Sequence, residues 1–154
     1  YVCPTLERGT ARLMAALLRF QRVDPDSHAW ALPEVVLEPA EALVLNPALA
    51  VATAARWDRV RDRIWGAPNV IVEIIDKRRA RRTRTLRVRW YRDFGVQECW
   101  LLDARVQRVE VLDLQRRRLP YIYSVETEFS SRVLRGFKMP VADIFPGHDT
   151  SRPE

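Results

Sequence analysis

A chain of 154 residues has room for one domain with one hydrophobic core, and its 47% apolar content excludes a disordered or low-complexity protein. Cys3 and Cys99 are too few for a disulfide framework, and neither has a second Cys or His at metal-ligand spacing, which excludes a stapled secreted fold and a structural zinc site. The formal net charge of +6 favours polyanionic partners such as nucleic acid.

No apolar run approaches the roughly eighteen residues that a membrane-spanning helix needs. The apolar stretch from Leu13 to Phe20 is interrupted by Arg19 and has no small-residue cleavage site, so no secretory signal is read there. A soluble, reduced, cytoplasmic protein is expected. The chain opens on Tyr1 rather than Met, which suggests a fragment of a longer protein.

In chain order, Leu13, Met14, Leu17, Leu18 and Phe20 recur near helical period and predict a first helix over Leu6 to Gln21, with Thr5 as its N-cap. Trp30 to Leu37, Ala42 to Leu45 and Leu49 to Thr53 read as short strands separated by Glu-Pro and Asn-Pro turns, forming an antiparallel meander. Ala54 to Trp65 fits both a helix and an extended arm and is left unassigned. Asn69 to Ile75 is nearly continuous in β-branched residues, the composition of a central strand covered on both faces. Arg81 to Phe94 has a helical stripe of Leu86, Trp90 and Phe94, flanked by Arg87 and Tyr91, with Arg81, Arg89 and Arg92 directed away.

Gln97 to Leu102 is a second buried strand. Val106 to Leu114 and Leu119 to Val125 form a hairpin with a polar tip, and Val133 to Phe145 closes the domain around Gly136 and Pro140. Strand, helix, strand in the second half implies a crossover between near neighbours of one sheet. The expected fold class is therefore mixed α/β: a central mixed sheet flanked by helices, with the meander added. It occupies residues 1–147 as a single domain, and residues 148–154 form a polar tail.

The chemistry concentrates on Glu73. It is the one carboxylate in Val70-Ile71-Val72-Glu73-Ile74-Ile75, and a buried carboxylate must be paired, metal-bound or protonated, because leaving it bare costs several kcal/mol. Fourteen residues later stands Arg87, then Tyr91, then Gly95-Val96-Gln97-Glu98-Cys99-Trp100-Leu101-Leu102-Asp103.

Taken with Gly66-Ala67-Pro68-Asn69, this arrangement resembles the Uma family, a bacterial group of restriction-endonuclease-like proteins in the PD-(D/E)XK nuclease superfamily. The resemblance runs from Asn46 to Phe145. It implies a restriction-endonuclease-like core and a metal-dependent phosphodiesterase site, in which two carboxylates hold Mg²⁺ or Mn²⁺ against DNA and a Lys stabilises charge. Carried over by position, the second carboxylate falls on Glu73, the candidate metal ligand. The first carboxylate falls on Ala48, the Lys on Arg87, and the acid one turn before that Lys on Thr83.

These replacements change what the site can do. Ala cannot bind a metal, one carboxylate leaves Mg²⁺ mostly hydrated, and a guanidinium keeps its proton and prefers a bidentate anion. Arg87 is therefore expected to close a salt bridge onto Glu73. Three acids, Glu34, Glu38 and Glu41, offer a substitute first carboxylate in another register; Asp76 points to the opposite strand face.

Lys77 to Arg92 holds nine basic residues in sixteen, so Arg78, Arg81, Arg82 and Arg84 are candidate phosphate contacts; a solvated helix face explains the same charges. Trp57, Trp65, Trp90 and Trp100 read as packing residues, and His28 and His148 as surface residues. Two functions follow from different classes. One is an active Mg²⁺- or Mn²⁺-dependent endonuclease; the other, favoured by Ala48 and Arg87, is a nuclease-fold module with impaired cleavage that binds DNA or assembles as a homodimer.

Overall fold

The computed structural model describes residues 4–23, 29–33, 37–40, 43–53, 56, 60–61, 63–64, 66–75, 81–116 and 118–145. In chain order these give α1 (Pro4–Val23), β1 (Ala29–Pro33), β2 (Leu37–Ala40), β3 (Leu43–Leu45), β4 (Leu49–Thr53), β5 (Val60–Arg61), β6 (Arg63–Ile64) and β7 (Val70–Ile75). Then follow α2 (Arg81–Phe94), β8 (Glu98–Asp103), β9 (Arg108–Asp113), β10 (Tyr121–Tyr123), β11 (Glu128–Ser130), β12 (Lys138–Pro140) and α3 (Val141–Ile144).

Six strands build the main sheet in the order β1-β4-β7-β8-β9-β10. The parallel pair is β7 and β8, in register from Val70↔Glu98 to Ile75↔Asp103, and α2 makes the crossover between them. Every other neighbour in this sheet is antiparallel, so it is mixed. Continuous apolar sequence in β7 and β8 follows from their central place, where both faces are covered. Pro33 ends β1, which is an edge strand of the main sheet, a position where a strand tolerates proline.

The first half departs from the expected meander in strand order: β1–β4, β2–β3 and β4–β7 pair antiparallel, but β2 and β6 pair parallel. β1 pairs with β4, and the β2–β3 hairpin between them leaves the main sheet to join β6 and β5 in a four-stranded one. The first helix is two residues longer at each end than its apolar stripe predicts, so Thr5 lies inside it rather than at the cap.

Two cores lie on the two faces of the sheet. On one, Leu13 and Leu17 of α1 pack with Val70, Val72, Trp100, Phe129 and Phe137. Trp100 is fully buried there, stacked on Phe137 at 5.5 Å and edge-on to Phe129 at 5.2 Å. Gly9 allows this helix to lie against α3, since a Cβ there would meet the Ile144 carbonyl oxygen at 2.5 Å. On the other face α2 covers Ala50, Ile71, Cys99 and Leu101 through Tyr91, Val88 and Trp90.

α2 ends where Gly95 takes φ +107°, a conformation that a Cβ disfavours. The Gly95 and Val96 amides then donate back to the Tyr91 carbonyl at 3.2 and 3.0 Å, which satisfies the last turn. The face that α2 buries is rotated from the predicted one: Trp90 and Phe94 pack on the core as expected, but Leu86 does not. Leu86 is 38% exposed whereas Tyr91 is fully buried, and Arg92, expected to point away, donates from Nε to the Leu114 carbonyl at 3.2 Å.

Candidate active site

Strand alternation turns Ile71 and Glu73 of β7 toward α2, while Val70 and Val72 face the other core. Glu73 is 6% exposed. Its Oε1 accepts from three donors that α2 supplies at helical spacing: Arg87 Nε at 3.0 Å, Arg87 Nη2, and the Tyr91 hydroxyl. Arg87 Nη2 also donates to the Tyr91 oxygen at 3.0 Å and to the Asn46 carbonyl at 3.3 Å, and the guanidinium lies 5.8 Å from the Tyr91 ring centre. Residues four apart share one helix face, so Arg87 and Tyr91 reach the same oxygen.

Ala48 lies at the edge of this cluster. Its N–H donates to the Val72 carbonyl at 3.0 Å, placing it beside the peptide that leads into Glu73. The sequence-predicted positions Ala48, Glu73 and Arg87 are thus brought together, and Thr83 is exposed on the helix surface.

A second acid on the same sheet face escaped the sequence reading. Glu73 registers with Leu101, and Leu101 with Glu110 of β9, so the two residues' backbones lie about 10 Å apart across two strand spacings, on one face. Glu110 is 5% exposed and is held by Arg84 at 2.9 Å and Arg108 at 3.3 Å. The signal was Val109-Glu110-Val111, one acid alternating with buried valines. Arg84, a candidate phosphate contact, has its guanidinium turned onto Glu110. The side chains of Arg81 and Arg82, and all of Arg78, lie outside the described residues. So do Glu34, Glu41, Asp76, His28, His148, Trp57 and Trp65, along with the side chain of Glu38 on β2.

Charge and burial act together here. Burial by itself would lower the Arg87 pKa, but Glu73 and then Tyr91 outweigh it and raise it, so the guanidinium stays charged. Burial, reinforced by the Glu73 charge, pushes the Tyr91 phenol well above its ordinary value. The fully buried Cys99 thiol is raised in the same way, against a smaller opposing effect of Arg84 and Arg87.

A divalent cation does not fit this donor set. The carboxylate oxygen Oε1 is already shared by a guanidinium and a phenol, and no group of three His, Cys, Asp or Glu converges among the described residues. The lining beside Glu73, formed by Ile74, Ile75, Arg84, Arg87, Val88 and Leu101, adds two guanidinium groups and aliphatic side chains but no further anionic oxygen for a hard cation.

With the site in view, comparisons with known proteins give its lineage. The profile of the Uma2 family, described as "Putative restriction endonuclease", matches residues 6–142. The chain belongs to the Uma2 family. Its fold is also that of a crystal structure of a putative nuclease, belonging to DUF820, from Anabaena variabilis, with a TM-score of 0.79 at 16% identity. That match covers 94% of this chain and 82% of the Anabaena chain. No curated protein matches. Nuclease-family membership and a nuclease-like mixed α/β fold therefore accompany a Uma2 chain whose β7 carboxylate is engaged by an arginine. Among the described residues, no helix is long and apolar enough to cross a membrane.

Proposed function

We propose that this Uma2 protein is a restriction-endonuclease-like module with impaired metal-dependent cleavage, which retains DNA binding and works as a homodimer. The observation that carries the reading is the Arg87 guanidinium on Glu73 Oε1, beside Ala48 where the family pattern has its first carboxylate. A guanidinium cannot surrender its proton near neutral pH, and it occupies the oxygen that a cation would need. The same three residues convert a reaction centre into an ion pair that ties α2 to β7. DNA contact falls to the basic stretch ahead of the site, Arg78, Arg81 and Arg82, with the net charge of +6 drawing the duplex in.

Plasmid nicking in Mg²⁺ or Mn²⁺ tests the cleavage half of this reading. The native chain and Glu73→Ala should nick at the same background rate, while the double change Ala48→Asp, Arg87→Lys should gain metal-dependent nicking. Nicking by the native chain that disappears in Glu73→Ala would overturn it.

The second reading, an active enzyme using a substitute acid, draws on one observation. Glu38 belongs to β2, a strand that packs against α2 near the site. Native nicking that is abolished equally by Glu38→Gln and Glu73→Ala would establish that enzyme.

A further inference from the structure

At the other end of β7 from Glu73, four residues or about 13 Å along the strand, the main sheet opens into a polar cleft of about 500 Å³. Its floor is an amide relay. The Thr53 N–H donates to Asn69 Oδ1 at 2.8 Å, and Asn69 Nδ2 donates to Gln97 Oε1 at 2.8 Å. Each amide is therefore oriented by its predecessor, and Gln97, its Oε1 engaged by Asn69, lines the cleft.

Around this floor stand three exposed guanidinium groups, those of Arg116, Arg132 and Arg135. Arg132 stacks on the Tyr121 ring at 4.7 Å and donates to its hydroxyl, which holds the side chain in place without neutralising it. Arg116 lies 4.0 Å from Asp113, and among the described residues Arg135 has no ion-pair partner. Two carboxylates also line the cleft, but internal donors occupy them. Glu98 Oε2 accepts from Trp100 Nε1 and the Ser131 hydroxyl, and its Oε1 from the Arg132 N–H. Asp113 Oδ1 accepts from the Gln115 and Arg116 amides. The lining thus sets three guanidinium groups against two carboxylates, with Arg116 paired to Asp113, so the net positive charge rests on Arg132 and Arg135.

We propose that this cleft binds a phosphomonoester, carried by a free nucleotide or by the 5′ end of a DNA strand. A monoester dianion suits a concave site with several guanidinium forks better than an internal diester, which carries one charge and must continue on both sides. The cleft is separate from the Glu73 cluster, and the inference does not depend on whether that cluster cleaves DNA.

Calorimetric titration of the full chain with deoxyadenosine 5′-monophosphate tests it. Saturable binding is expected, weakened at least roughly tenfold by Arg132→Ala/Arg135→Ala, as loss of charge-assisted hydrogen bonds predicts, and unchanged by Arg89→Ala. Arg89 is a control guanidinium on the exposed side of α2, 3.8 Å from Asp93, and it matches in charge the single variants Arg132→Ala and Arg135→Ala, each of which should also weaken binding. No saturation, or equal weakening by Arg89→Ala, would overturn the inference. Competition then separates the sources. Displacement of the nucleotide by a 5′-phosphorylated oligonucleotide but not its 5′-hydroxyl counterpart identifies a DNA end, and displacement by neither identifies a free nucleotide. Equal displacement by both means that internal diesters suffice and rules out a monoester site.

Discussion

At the scale of single residues, the decisive fact is that one carboxylate oxygen serves three donors. Breaking a buried ion pair from one side leaves the other charge stranded, whereas replacing both partners with neutral groups is often close to neutral. Arg87→Met should therefore destabilise the protein by about 3 kcal/mol, and adding Glu73→Gln should recover most of that loss. Urea unfolding of the two variants measures both. A single-variant cost below about 1 kcal/mol would mean that the pair behaves as a solvated surface contact. The ion pair itself was legible, because an acid within a β-branched strand and an arginine fourteen residues later on a crossover helix have few other partners. The Glu110 cluster was not, since cross-strand register decides which side chains meet.

At the scale of elements, α2 shows why hydropathy misled. Its apolar stripe pointed to Leu86, Trp90 and Phe94; the helix keeps Trp90 and Phe94 against the core but exposes Leu86 and seats Arg84, Arg87, Val88 and Tyr91 on the sheet. Carboxylates on β7 and β9 make that polar face buriable, a compensation that no property of the helix reveals. Docking of α2 on β7 and β8 buries two acidic groups in their neutral forms, the Tyr91 phenol and the Cys99 thiol. Both have folded-state pKa values raised above their ordinary ones of 10.0 and 9.0, so their contribution is complete below those values. It is lost as pH rises past them, because the unfolded chain releases protons that the folded one keeps. Unfolding free energy should fall above pH 9 by up to about 1.4 kcal/mol per pH unit for each group, and Tyr91→Phe should flatten the part above pH 10. Urea unfolding at stepped pH measures this, and an unchanged slope in the variant would discard the role assigned to the phenol.

At the scale of the whole molecule, the main sheet ends in the short strand β10, with Leu119 and Ile122 exposed beside it. Among the described residues no strand pairs with the outer edge of β10, and an edge flanked by apolar side chains is a surface that a second copy can meet through two-fold symmetry. Sedimentation should give a dimer for the native chain and a monomer for Ile122→Lys. A monomeric native chain would remove the homodimer from the proposal.

Much of the architecture could be read from residue order alone: the β7–α2–β8 crossover, the buried carboxylate, and the arginine that answers it. These are local signals, set by periodicity along the chain and by chemistry at fixed spacing. The tertiary structure alone decided that β1 pairs with β4 past an excursion into a second sheet, that α2 buries an arginine face, and that a basic cleft opens at the far end of β7. Those features depend on which surfaces meet after the chain has closed, and pairing between strands distant in sequence leaves no periodic trace in either strand.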